Sequence, residues 1–272
     1  MKVAICISGQ LRTWKKCNIN VFKLINRLGH KVDFFCHTWD FDSVPRPIIA
    51  STGIDTIKLH SQDTIKEVLA TYNPISYSIE NREKNTEVVD KVIEEGLRLL
   101  NQRTLIAWTS PQFYSLMVAS NLKSEYELKN NFKYDACIRL RYDQYIPESQ
   151  IDYIIDILNQ IQPNTIYTMH NRECEEYPKV VYGDVFWIAD SPTYNKVSAF
   201  YKALPTIDSN LFANTVPPEH VLTHYIKSLG IENFRTYLDI KICQFKNDVD
   251  EKIRLGLGGT GDHEILYENI ND

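Results

Sequence analysis

The chain has no stretch approaching the roughly 20 apolar residues that a membrane-spanning helix needs. The apolar run in "MKVAICISGQLRTW" is broken by polar residues before it reaches the length of a signal-peptide core. The expected location is therefore the cytoplasm, or the host cytoplasm if the source is a virus. A CxxC pair is also missing. Cys6, Cys17, Cys36, Cys137, Cys174 and Cys243 are scattered, which favours reduced thiols over disulfides. There is no basic surplus: the net charge of -5 argues against a dedicated nucleic-acid binder, while leaving room for a local basic pocket. GxGxxG, the P-loop GK[ST] and the kinase signature set are absent. His220 and His224 lie one helical turn apart, but without the third ligand that a zinc site of the HExxH kind requires. No repeat, low-complexity block or linker interrupts the chain.

What is present reads as one α/β domain. The 272 residues, 43% hydrophobic and 24% charged, are ample for a core that needs no staples. "KVAICIS" predicts a parallel strand buried on both faces. "KKCNINVFKLINRLG" then places Val21, Leu24, Ile25 and Leu28 at helical spacing, with Gly29 as C-terminal cap. "KVDFFCHTW" follows as a second strand and completes a βαβ unit, which favours helices on both faces of a mostly parallel sheet. Further on, "SQDTIKEVLATYN" predicts a capped helix. "TSPQFYSLMVASNLKSEYELKNNF" predicts a long one, with Ser110 as N-cap and Pro111 at the first helical position.

Several stretches carry residues suited to chemistry. In "YDACIRLRYDQYIP", Arg139, Arg141 and Asp143 alternate, so in an extended chain they share one face while Ala136, Ile138, Leu140 and Tyr142 share the other. The charged face either meets water, joins a buried ion-pair lattice or lines a site. Asp143, at the strand end, could hold a divalent cation, because hard cations take oxygen ligands. "SGQLRTW" (Ser8 to Trp14) leaves the first strand: Ser8, Gly9 and Gln10 turn the chain and could present backbone N–H groups to a phosphate that Arg12 also pairs with, or the stretch is an ordinary tight βα turn with a surface arginine. In "HTWD", at the end of the second strand, Trp39 could stack on a base or sugar and Asp40 could accept from ribose hydroxyls; packing and capping would explain the same letters. In "YGDVFWIAD", Asp184 follows a glycine at a strand start, as a turn residue or a recognition carboxylate. In "PPEHVLTHY", Glu219 falls in a first helical turn, where the dipole alone would favour it, or serves as a general base. "GGTGDHE" carries His263 in a glycine-rich loop, either as a metal ligand or in a loose polar terminus.

Taken in order, "ICISGQLRTW", "VDFFCHTWD", "SPQFYSLMVASNLKSEYE", "YDACIRLRYDQYIP", "YGDVFWIAD" and "PPEHVL" resemble a family of nucleotide-sugar-dependent glycosyltransferases with a GT-A-like fold. Members of that family occur in large DNA viruses and in bacterial surface-polysaccharide clusters. The resemblance implies a single-domain, GT-A-like (Rossmann-like) three-layer sandwich over 1–272, with a nucleotide-binding part over about 1–147 and an acceptor-side part over about 148–272. It implies transfer of a sugar from a nucleoside-diphosphate sugar to a glycan hydroxyl. Ser8, Gly9, Gln10, Arg12, His37, Trp39, Asp40, Arg139 and Arg141 would bind the donor, Asp143 and His263 would hold Mn²⁺ or Mg²⁺, and Asp184 and Glu219 would be the catalytic carboxylates. The chain departs from the family's Asp-x-Asp motif: its strand end reads Arg-Tyr-Asp-Gln, with one acid in place of two. The alternatives from other classes are a glycan-binding protein without catalysis and a sulfotransferase-like enzyme.

Overall fold

The computed structural model describes residues 1–29, 31–43, 57–95, 103–170, 182–206, 218–236, 238 and 240–242. Its strands are β1 (Lys2–Gly9), β2 (Lys31–Trp39), β3 (Phe41–Ser43), β4 (Ile57–Leu59), β5 (Ser76–Glu80), β6 (Ala136–Leu140), β7 (Gln144–Tyr145), β8 (Thr165–His170), β9 (Tyr182–Ala189), β10 (Glu232–Thr236) and β11 (Lys241–Ile242). The helices are α1 (Trp14–Leu28), α2 (Gln62–Tyr72), α3 (Arg82–Glu95), α4 (Arg103–Lys129), α5 (Glu148–Asn159), α6 (Ser191–Ser198), α7 (Phe200–Ala203) and α8 (Pro218–Ser228).

A seven-stranded sheet runs in the order β10-β8-β9-β6-β1-β2-β5. Every neighbouring pair is parallel except those made by β9, which is antiparallel to both β6 and β8. Side chains alternate across it as the strand repeat demands. Val3, Ile5 and Ile7 of β1, with Ala136, Ile138 and Leu140 of β6, pack against α1, α2 and α5. Ala4 and Cys6, with Cys137 and Trp187, pack against α3, α4 and α6 to α8. The result is the expected three-layer α/β sandwich with a mostly parallel sheet.

The cysteines at 6, 17, 36 and 137 are buried and not joined in disulfides among the described residues; Cys174 and Cys243 lie outside the described residues. The cap signals near the start of the chain also hold. Gly29 ends α1 at φ 59, a left-handed conformation that glycine adopts without a Cβ clash. Ser61 caps α2 by accepting from the Thr64 N–H at 3.1 Å.

One boundary differs. Pro111 does not open α4, because the helix already starts at Arg103 and runs through it, so Ser110 is not its N-cap. Proline interrupts one helical hydrogen bond, but α4 lies along β1 and β2 and buries Phe113, Leu116 and Ala119. Burial along that line outweighs the local stop signal. Among the described residues no helix is long and apolar enough to cross a membrane.

The sheet order places the site. From β1 the chain crosses through α1 to β2 on one side, whereas β6 lies on the other side of β1. The loops leaving β1 and β6 lead into α1 and α5, which lie side by side on one face and are joined by Lys23–Glu148 and Arg27–Asp152. The two loops therefore meet at the carboxyl ends of adjacent strands, outside which lies the crevice where open α/β sheets bind ligands.

Candidate functional site

Both loops put arginines into that crevice. After β1, Gly9 turns at φ +117 and Arg12 adopts a left-handed φ of 44, costly for a residue with a side chain. The strain is held by Asp42, whose two oxygens accept the Arg12 backbone N–H at 3.2 and 3.0 Å. That N–H is thus committed within the protein. The Arg12 side chain swings across the crevice instead. Its Nε donates to Gln10 Oε1 at 3.1 Å and its Nη1 to Asp143 Oδ2 at 2.9 Å. Ser8 is buried at the strand end, and the Thr38 hydroxyl donates to the Gly9 carbonyl at 2.9 Å.

Asp143 is the hub. Arg141 grips it with a two-point fork, Nε to Oδ1 and Nη2 to Oδ2, each at 2.8 Å. The Arg141 backbone N–H donates to Gln144 Oε1 at 2.7 Å. Burial alone would raise the Asp143 pKa, but Arg141 and Arg12 outweigh it and hold the carboxyl below the usual range. The carboxylate already accepts three guanidinium N–H groups and sits beside two fixed positive charges. Such a donor set does not fit a divalent cation, and no group of three or more His, Cys, Asp or Glu suited to a metal occurs among the described residues. His263 lies outside the described residues.

Arg139, two residues deeper in β6, is fully buried and behaves differently. Its guanidinium carbon lies 4.3 Å from the Trp187 ring centroid and 5.5 Å from that of Phe113. Burial lowers its pKa to about 10, with Asp184 pulling the other way, so it stays charged at neutral pH.

Asp184 owes its position to an irregularity. While β8 advances from Thr168 to His170, β9 runs from Tyr182 to Trp187, a bulge of the kind that re-aims side chains. Strict alternation would place Asp184 with Phe186, on the α1 side of the sheet. Instead it meets α4, where Gln112 Nε2 donates to its Oδ2 at 2.7 Å. Glu219, in the first turn of α8, feels the same carboxylate. Burial and the Asp184 charge push the Glu219 pKa up to about 8, and its Oε2 is buried with no hydrogen-bond partner. At neutral pH Glu219 therefore keeps its proton.

The "HTWD" residues divide. His37 has no exposed surface; its Nε2 lies 3.3 Å from Glu80 Oε2, and burial outweighs the pull of Glu80, so the ring is kept neutral. Trp39 is 2% exposed, with Tyr114 stacked at 6.0 Å and Phe41 tilted at 6.2 Å, so it packs in the core and offers no open face to a base. Asp40 keeps a buried oxygen, Oδ1, without a partner at the end of β2. The structure therefore brings Gln10, Arg12, Arg141 and Asp143 together, and places Arg139, Asp184 and Glu219 in a second group whose fields overlap the first. Gln112 and Asp42 join them unannounced by any motif, because each is recognised only by the distant carboxylate or N–H that it meets.

No protein-family model and no curated protein matches this chain. Solved structures overlap it in chain path. A glycosyltransferase involved in glycosylation of the major capsid of PBCV-1 overlaps at 10% identity and TM-score 0.41, over 87% of this chain and 82% of that one. Mouse xyloside xylosyltransferase 1 does so at 9% identity and TM-score 0.39, over 86% and 84%. A Bacillus anthracis structure named for glucose-1-phosphate thymidylyltransferase, in complex with sucrose, does so at 9% identity and TM-score 0.42, over 98% of each chain. At such overlap the chemistry has to come from the site itself.

The Asp143 hub makes a pH prediction. A carboxyl with a depressed folded pKa contributes stability that is present above its unfolded value, about 3.9, and lost as pH falls through the folded value. Urea denaturation of wild type and Asp143→Asn should therefore show a gap at pH 7 that narrows below about pH 4. A gap independent of pH would mean that the arginines do not hold Asp143 ionised.

Proposed function

We propose that this chain is a glycosyltransferase that moves a sugar from a nucleoside-diphosphate sugar to a hydroxyl of a glycan. The observation that carries the proposal is the pair of guanidinium groups, Arg12 and Arg141, converging on Asp143 at the carboxyl ends of β1 and β6. Each spends two of its five N–H donors on the contacts described, so donors remain for an anion. Arg12, Arg139 and Arg141 stand among the carboxyl groups of Asp42, Asp143 and Asp184, so the capacity for an anion lies in the unspent guanidinium donors. A departing diphosphate would be stabilised by Arg12 and Arg141, already fixed in place before the reaction. The resemblance implies Mn²⁺ or Mg²⁺; the donor set around Asp143 does not fit one, and Arg12 and Arg141 supply the positive charge in its place.

The two acids take separate roles in this reading. Environments that push paired carboxyls apart distinguish base from acid. Asp184, held by Gln112 and within reach of the charges of Arg139 and Arg141, is the partner suited to deprotonating an acceptor hydroxyl if the reaction inverts the anomeric centre. Glu219, protonated at neutral pH, is suited to donating a hydrogen bond.

Thermal shift with UDP, GDP, CDP, their sugars, 3′-phosphoadenosine 5′-phosphosulfate and free glycans, each with and without Mn²⁺, tests the proposal. A nucleoside diphosphate at about a hundred times its Kd should stabilise the fold by about 2.7 kcal/mol, a shift of several degrees at this size. Shifts by glycans alone would make this a binding protein, and a shift by the phosphosulfate alone would make it a sulfotransferase.

A further inference from the structure

The Arg139 chamber holds an excess of hydrogen-bond donors with nothing to receive them. All three guanidinium nitrogens of Arg139 and the indole Nε1 of Trp187 are buried without an acceptor among the described residues. Register places the two residues opposite each other on β6 and β9, with the guanidinium over the indole ring. The Tyr194 ring lies 6.5 Å from that of Trp187, with its hydroxyl against the Cys6 thiol. Asp184, whose field reaches Arg139, gives its Oδ2 to Gln112 instead. Buried polar groups are normally satisfied, and a cluster left open calls for an occupant.

The inventory of open groups says what kind. Guanidinium and indole nitrogens only donate, whereas a phenol or a protonated carboxyl can do either. A neutral sugar brings hydroxyls that donate as often as they accept. A carboxylate brings lone pairs and no proton, and its plane matches the planar fork of an arginine. Arg12 and Arg141, nearer the loops, are the groups available to a diphosphate.

We propose that Arg139 and the indole N–H of Trp187 receive the carboxylate of an acidic sugar, so that the substrate on the donor or the acceptor side is a uronic-acid-type sugar. The inference rests on the glycosyltransferase reading and narrows its substrate class. Arg139 has no exposed surface, so the carboxylate reaches it only when the elements over it part.

Calorimetric titration of the wild-type chain decides it, comparing UDP-glucuronate with UDP-glucose, and methyl glucuronide and methyl galacturonide with their neutral counterparts. The acidic member of at least one pair should bind about tenfold or more tightly, as expected when a site's buried donors go unmet by the analogue. Preference within the nucleotide pair places the carboxylate on the donor; preference within the glycosides places it on the acceptor. Trp187→Phe, which keeps an aromatic ring and removes the N–H, should reduce the preference, and Arg139→Lys should abolish it. Equal affinity within every pair, with nucleotide still bound, overturns the inference and leaves glycosyl transfer standing. If no nucleoside diphosphate binds, glycosyl transfer fails while the glycoside pairs still decide whether Arg139 takes a carboxylate.

Discussion

Glu127→Leu will destabilise the fold by about 3–5 kcal/mol, because it strands a buried lysine. Lys123 and Glu127 stand one turn apart on α4, both without exposed surface, with Lys123 Nζ 3.1 Å from Glu127 Oε2. Ser191, the first residue of α6, accepts from Lys123 and donates to Glu127 Oε1. The Tyr134 N–H donates to the same oxygen at 2.9 Å, and Lys133 reaches Oε2 at 3.2 Å from the solvent side. Burial alone would push the Glu127 pKa up, but Ser191, the Tyr134 N–H and Lys123 outweigh it and hold it below the usual range. Leucine at 127 would leave the Lys123 ammonium with the Ser191 hydroxyl and the Tyr194 ring, 5.9 Å away, as its described partners, and the Tyr134 N–H without its acceptor. The double variant Lys123→Met/Glu127→Leu removes both charges and should recover part of the loss. Guanidinium denaturation checks both. A single-variant loss below about 1 kcal/mol, or a double variant worse than the single, would show that the network is not what ties α4 to α6.

If the reaction inverts the anomeric centre, Asp184→Asn will leave the chain folded and lower kcat by about 10² to 10⁴, the usual worth of a general base. Asparagine keeps an oxygen to accept from Gln112, so geometry is preserved while basicity is lost. The readout is release of nucleoside diphosphate with the donor that the binding panel identifies. Glu219→Gln should behave in the opposite way. Glu219 carries its proton below about pH 8, so an amide imitates its working state at pH 7 and most activity should survive. If the neutral form is required, the wild-type rate falls above about pH 8, and Glu219→Gln removes that fall. A wild-type kcat for Asp184→Asn, with Glu219→Gln inactive at pH 7, would reverse the two roles.

How far the sequence led depended on the range of each signal. Periodicity and caps are local, and they located β1, α1 and β2, the Gly29 and Ser61 caps, and the apolar face of β6 that packs on α1 and α5. Alternation also put Arg139 and Arg141 on one face. It could not foresee that Arg141 would close on Asp143 while Arg139 stayed unpaired between two aromatic rings, because that depends on α4 and β9 arriving from distant parts of the chain. The Pro111 stop signal misplaced the start of α4 for the same reason, since burial along the sheet outweighed it.

The sequence by itself determined the layered α/β class, the arginine-rich strand end and the loops around it, since these follow from residue order over a few positions. Tertiary structure alone decided the rest. The turning of Asp184 toward Gln112, the Asp42 hold on a strained Arg12, and the burial that leaves Glu219 protonated each join residues far apart in the chain, and only the packed sheet brings them within reach of one another.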